Sequence, residues 1–355
     1  MTDQFFPAPI KTSEGWQVIF AFEVLYRPSE EWIEMRWGFS PQFLLEEALD
    51  RQRLFIESQS IPREMFLASD GLRHTLAIRG VNTSNNKVQI ALLGKVVSPN
   101  PDRIEIEARS YARMLHSIFP HDFVLIPAAS QEDHDRLLMN DFFEKEPDIL
   151  SIQRSFAAVP LDHGSAQVAG FWQSATRSNE QIWRALAGNS QQTVFNIAIQ
   201  PTMLYEGERN LLEKLLTDHK ADESNINAPS SDWIHACAKR RLNEWGKIFL
   251  MQIHILADGE VDQNLVRSIG SALSRDTNGQ PSLGFRVENP NSTEEKIIWQ
   301  KQVGNLDIIP TFSRIDDIAD LDEVCSVFQF PYRPKTGLQG VHFAEAQDST
   351  KMNQQ

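Results

Sequence analysis

Between residues 167 and 287 the chain spells out one order of elements, and that order constrains the fold more than any single motif. Residues 167–172 read as a strand, 180–186 as a helix and 193–200 as a second strand. Helices follow over 206–216 and from Asp232 to Trp245, with a polar linker, 219–231, between them. Then come a third strand at 249–256, a helix at 262–273 and a fourth strand at 283–287. Strand–helix–strand given twice, with helices between, is the order of a ferredoxin-like split-βαβ domain carrying a helical insertion. The same elements also satisfy a doubly wound parallel sheet, which is the alternative.

The N-terminal part reads as an α/β domain over 5–146. Residues 17–25 form a strand apolar enough to be covered on both faces. A charged helical segment follows, carrying Phe43, Leu44, Ala48, Leu49 and Phe55. Strands at 75–79 and 88–97 flank the polar turn Asn82-Thr83-Ser84-Asn85-Asn86. Pro99 and Pro101 punctuate the chain before a helix with Ile104, Ala108, Tyr111, Ala112, Leu115, Ile118 and Phe119 on one buried stripe. Pro120 ends it, and 123–127 returns as a strand. The ferredoxin-like domain spans 150–288, a connector 289–344, and 345–355 a disordered tail. Both α/β regions show a strand, a helix and a strand ending in proline (Pro127, Pro201), an echo of duplication without a residue-level repeat. The expected class is thus α+β, mixed α/β, with two such regions.

Charge weighs against nucleic acid as the main partner. There are 34 Lys and Arg against 48 Asp and Glu, a net charge of −14, whereas phosphate binders draw most of their affinity from excess cations. The two cysteines, Cys237 and Cys325, are too few for a disulfide framework or a four-cysteine zinc site. The longest early apolar run contains Glu23 and is far short of a membrane span. The expectation is a soluble cytoplasmic protein that does not insert in a membrane.

Candidate chemistry is thin. His116, His121 and His134 lie near Asp122, Asp133 and Asp135, without the tight spacing of a metal motif, and read as surface histidines around a helix end. His254 shares a strand face with Gln252 and Leu256 and reads as a hydrogen-bonded strand histidine. A restriction-type nuclease site needs an acidic residue two positions before its lysine. Lys95 has none. Lys239, Arg240 and Arg241 share a helix with Trp233 and Trp245, a pattern that serves either single-strand stacking or a core stripe with a basic edge. No Gly-x-x-x-x-Gly-Lys-Ser/Thr loop is present, and the sequence assigns no catalytic residue, cofactor or metal.

Four passages together resemble the N-terminal, non-motor region of bacterial HerA/FtsK-like ATPases related to type IV secretion and conjugation. They are 108–123, with Phe119-Pro120; 197–208, with Gln200-Pro201-Thr202; the strand and helix of 249–273; and Val327-Phe328-Gln329-Phe330-Pro331-Tyr332-Arg333-Pro334-Lys335-Thr336-Gly337-Leu338-Gln339-Gly340. The last is similar to the junction that joins the pre-motor region to the motor in that group. The resemblance spans about 75–341 and implies a subunit docking, in one or several copies, on a separately encoded ATPase in DNA transfer or anti-phage defence. Phe328, Phe330, Pro331, Tyr332 and Leu338 are then the residues expected to meet the partner, as apolar anchors. The alternatives are a nuclease or other hydrolase with an unrecognised site, and a DNA-binding clamp using Lys239, Arg240 and Arg241.

Overall fold

The computed structural model describes residues 5–26, 41–83, 86–161, 164–175, 178–217, 230–243, 247–276, 283–310, 313–332 and 341–346. Its first unit begins with the short strand β1 (Ile10–Thr12), which turns at Gly15 into β2 (Gly15–Tyr26). Helices α1 (Pro41–Glu57) and α2 (Arg63–Leu67) lead to the hairpin of β3 (Arg73–Thr83) and β4 (Lys87–Ser98). Helix α3 (Pro101–Ile118) and strand β5 (Phe123–Pro127) complete it. The Asn100 side chain caps α3 by accepting from the Asp102 N–H at 2.9 Å, and Pro101 occupies the first turn, where its missing N–H costs nothing. The buried stripe of α3 is Ile104, Ala108, Tyr111, Ala112 and Leu115, as the spacing implies, but Ile118, expected with them, is exposed and Phe119 only partly buried.

Two short helices, α4 (Gln131–Leu138) and α5 (Asn140–Phe143), connect to the second unit. That unit starts at β6 (Asp148–Arg154), followed by a separate hairpin of β7 (Phe156–Leu161) and β8 (Gly164–Ala169). Helix α6 (Ser178–Ala187) and β9 (Thr193–Thr202) come next, then the inserted helices α7 (Glu206–Thr217) and α8 (Ser231–Asn243). Strand β10 (Ile248–Ala257), helix α9 (Gln263–Leu273) and β11 (Phe285–Glu288) close it. The sequence places the unit's first strand at 167–172. The structure instead makes 164–169 part of the hairpin and gives the central position to 148–154.

Set aside the insertions, and both units run β-α-β-β-α-β. In the first, β5 and β4 flank β2, and β3 lies outside β4. In the second the order is β9-β10-β6-β11. Each is the ferredoxin-like order, so that fold, expected for the second region, describes both. The two units share one sheet of 11 strands, because β3 and β9, the second strand of each unit, pair antiparallel from Leu76↔Ile199 to Val81↔Val194. An antiparallel join between equivalent strands relates the units by an approximate two-fold axis through the sheet. The duplication echo is therefore architectural, although the proline-ended strands compared in the sequence, β5 and β9, are not equivalent.

The four crossover helices α1, α3, α6 and α9 cover one face of the sheet, where their apolar residues join Phe20, Phe22, Leu92, Phe195 and Ile253 in the main core. The opposite face is covered by α4, α7, α8 and the β7–β8 hairpin. Strand β10 is buried along its entire length, as a strand covered on both faces must be. Near the join, a Cβ on Gly80 of β3 would lie 2.4 Å from the Trp183 ring of α6, so only glycine allows the helix to sit so close. On the other face Arg79, fully buried, donates from Nε to Asn196 Oδ1 at 3.0 Å and from Nη1 and Nη2 to the Leu138 and Val303 carbonyls at 2.5 and 2.7 Å. Two carbonyls at helix ends thus stand in for a counter-ion.

The 289–344 stretch, expected as a connector, is built of elements. Helix α10 (Thr293–Gly304), helix α11 (Arg314–Asp317), strand β12 (Ile318–Asp320) and helix α12 (Leu321–Val327) pack on the second unit, with β12 paired to β10. The chain then crosses to the first unit, where β13 (His342–Phe343) lies parallel to β4. Of the tail expected to be disordered, Glu345 and Ala346 are held: Glu345 bridges to Tyr26, and the Ala346 N–H donates to the Tyr26 carbonyl at 2.8 Å. Residues 347–355 lie outside the described residues.

Candidate functional site

The most concentrated polar chemistry lies where α12 meets the second unit. Asp320 caps α12 by accepting from the Glu323 N–H at 2.9 Å, and Glu323 accepts in return from the Asp320 N–H at 3.1 Å, a complete capping box. Glu323 is 0% exposed and also receives Arg154 Nη1 at 2.5 Å and the Trp172 N–H at 3.1 Å, with Arg241 Nη2 at 3.7 Å. Burial alone would push its carboxyl up, but Arg154, Arg241 and Arg240 hold it below the usual carboxylate range. Arg240 forks onto Asp320, and both Arg240 and Arg241 lie over the Phe171 ring, 4.6 and 5.3 Å from its centre.

A second group of acids adjoins this one. Arg154 Nη2 donates to the Asp316 and Ile318 carbonyls. Asp317 is buried, with the Gln252 amide at 3.3 Å as hydrogen-bond donor, while both Asp316 side-chain oxygens are buried without a donor. Burial pushes the Asp317 carboxyl up to about 7, and raises Asp316 and Glu288 as well. Around them Ser151, Gln153, Trp172, Gln252 and Arg286 line a cleft of about 10 Å³, room for a water and not for a metabolite.

The proposed nucleic-acid residues are therefore engaged inside the protein. Arg241 is 3% exposed and Arg240 is bonded to Asp320, which leaves Lys239 as the exposed cation of the three. Trp233 is buried in a core cluster with Ile234 and Cys237, so the core-stripe reading of that helix holds; Trp245 lies outside the described residues. Three of the expected partner-binding residues are likewise engaged inside the protein. Phe328 and Phe330 are 0% and 1% exposed, because Phe330 fits between Phe55, Phe119 and Phe123 at ring separations of 5.0–6.3 Å. Gln52 of α1 fixes the Phe330 backbone on both sides, accepting from its N–H at 2.9 Å and donating to its carbonyl at 3.2 Å. Pro331 is buried and its carbonyl accepts from the Tyr26 hydroxyl; Tyr332 is half-buried, near Asp122 and Arg51. Leu338 lies outside the described residues.

The remaining candidates do not converge. His116 and His121 are exposed, but His134, read as a surface residue, is 4% exposed with Nε2 2.9 Å from the Ile19 carbonyl. His254 is buried against Trp299, and burial pulls it down to about 4. Lys95, the nuclease candidate, is buried and paired with Asp307. Among the described residues no group of three or more His, Cys, Asp or Glu is arranged to hold a metal ion. Both thiols are free, and burial raises each to about 12, which leaves them poor nucleophiles. No helix among the described residues is long and apolar enough to cross a membrane.

Arg154 carries no signal of its role in the sequence. Asp316, Asp317, Asp320, Asp322 and Glu323 stand together there as an acidic run without a site motif, and the Asp-x-x-Glu spacing of Asp320 and Glu323 ahead of Val324 is the signal that identifies a helix cap. No family model matches the chain, and no curated protein matches it in sequence.

Proposed function

We propose that the chain is a non-catalytic assembly subunit that docks on a separately encoded HerA/FtsK-like ATPase. The reading starts from the sequence resemblance and is supported by where the junction-like segment lies. Residues 328–332 are bound to α1 through Gln52, and the stretch that follows Gln52 carries Leu54, Met65 and Leu67 at 60–65% exposure. Large apolar side chains left in water on two consecutive helices, the first of which holds the segment that would lead toward a motor, are the kind of surface an obligate partner covers. The charged side chains nearby, by contrast, serve the fold: Arg51 is forked onto Asp122 at 2.7 and 2.9 Å and Lys247 is bonded to Glu57 at 2.6 Å. DNA transfer and anti-phage defence are the two settings in which such a subunit would work.

The test is copurification from the native host. The tagged chain should retain an ATPase with a HerA/FtsK-like motor, and Leu54→Asp with Met65→Asp should lose it while keeping the circular dichroism spectrum. A tagged chain that never retains such an ATPase sinks the reading.

A further inference from the structure

We propose that residues 314–332 form a latch, docked while the buried Asp317 carboxyl, next to Asp316, holds its proton and loosened when it ionises, so that rising pH frees the aromatic segment 328–332. This goes beyond the assembly reading and does not require it.

The geometry carries the argument. Asp316 and Asp317 are adjacent on α11 and both turn into the protein, a placement neutral acids tolerate and two anions resist. The charged groups facing Asp316 and Asp317 are Arg154 of β6, Arg241 of α8, and Arg286 and Glu288 of β11, with Glu295 of α10 facing Glu288. The cations among them already have work. Arg154 is bonded to Glu323, Arg241 lies 3.7 Å from Glu323, and Arg286 is bonded to Gln153 at 2.5 Å and lies 3.2 Å from Glu288. Asp317 therefore faces one neutral amide, Gln252, and Asp316 no hydrogen-bond donor within the described residues.

What α11 holds is the rest of the strap. Its backbone carbonyls at Asp316 and Ile318 take Arg154, β12 pairs with β10, and α12 hands the chain to Phe328 and Phe330 in the first unit. The sign follows from the direction of the shifts. A carboxyl whose folded pKa is raised favours the docked state at low pH, and that advantage falls as pH rises through the folded value, about 7 for Asp317.

Hydrogen exchange on the full chain tests it, with rates corrected for intrinsic amide chemistry. Peptides covering 313–332 should open about tenfold more at pH 8 than at pH 6, the effect of a single carboxyl titrating near 7. Peptides from β4 should show no such change. In Asp317→Asn, which keeps a neutral side chain at every pH, the difference across 313–332 should shrink to less than about twofold. Equal opening of the wild-type segment at pH 6 and pH 8 overturns the latch, and so does an undiminished pH effect in Asp317→Asn. The wild-type comparison decides the matter even if that variant fails to fold. ATPase copurification is unaffected by either result, so the latch and the assembly reading fail separately.

Discussion

Replacing Glu323 with alanine should be among the most damaging single changes in the chain. Its carboxylate is 0% exposed and sits against Arg154 and Arg241, whose side chains are 2% and 3% exposed. Removing one partner of a buried pair leaves the other charge without compensation, typically a loss of about 3–5 kcal/mol. Two further groups lose their acceptor: the Trp172 N–H, at about 1–3 kcal/mol for a buried orphan, and the Asp320 N–H of the capping box, at about 1 kcal/mol. These losses overlap, since Arg154 keeps its carbonyl acceptors, so a total of about 4 kcal/mol is the working figure. Urea unfolding followed by tryptophan fluorescence measures it, as a drop in midpoint at unchanged slope. The double variant Arg154→Met/Glu323→Met should lose less than Glu323→Ala, because the Arg154 charge is removed with its partner and only Arg241 is left without the carboxylate. A Glu323→Ala protein within about 1 kcal/mol of wild type would show that water reaches the cluster and that the buried-pair reasoning is wrong.

Three other changes probe the fold. Gly80→Ala should cost about 1–3 kcal/mol by forcing Trp183 off β3, visible as a lower urea midpoint and an altered tryptophan emission. Phe330→Ala should cost about 3–5 kcal/mol as a core truncation, whereas Tyr332→Ala should stay within about 1 kcal/mol; similar losses from the two would misplace the segment. His254, drawn down to about 4 by burial, is held neutral, so it contributes stability above its ordinary value near 6.5 that is lost as pH falls toward 4. Relative to His254→Gln, the wild type should lose about 2–3 kcal/mol between pH 7 and pH 4.5 in urea titrations, and parallel curves for the two would refute it.

The sequence carried the elements better than their partners. Strands β2 to β5 and helices α1 and α3 of the first unit are read in the sequence, with local signals such as the Asn-rich turn between β3 and β4, the Asn100–Pro101 start of α3 and Pro120 at its end, whereas the short β1 and α2 are not. The mistake in the second unit has a physical origin. Residues 148–154 show no clean alternation: Ser151 and Gln153 share one strand face with Ile149, and Asp148 and Arg154 share the other with Leu150 and Ile152, so polar residues interrupt both faces. In the fold they are turned to other protein groups, Arg154 to Glu323 and Gln153 to Arg286. Likewise the junction segment reads as an exposed apolar peptide because Phe55, Phe119 and Phe123, which enclose it, are more than 200 residues earlier in the chain. Its burial depends on long-range packing that no local pattern contains.

The acid–base cluster is built almost wholly from what the two units do not share. Arg240 and Arg241 sit on α8, inside the helical insertion between β9 and β10; Asp316, Asp317, Asp320 and Glu323 follow the last strand of the second unit; and Trp172 follows the extra hairpin. Arg154, at the end of β6, and Arg286 and Glu288, on β11, are the members that belong to the common framework. A duplicated sheet needs none of these groups for its core, which is supplied by the crossover helices. They serve instead to fix α12, and through it the crossing of the chain from the second unit to the first. The directional chemistry of this protein is thus spent on holding the strap in one position. A strap that only filled space would need apolar contacts alone, since well-packed apolar residues stabilise at least as well as a buried ion pair.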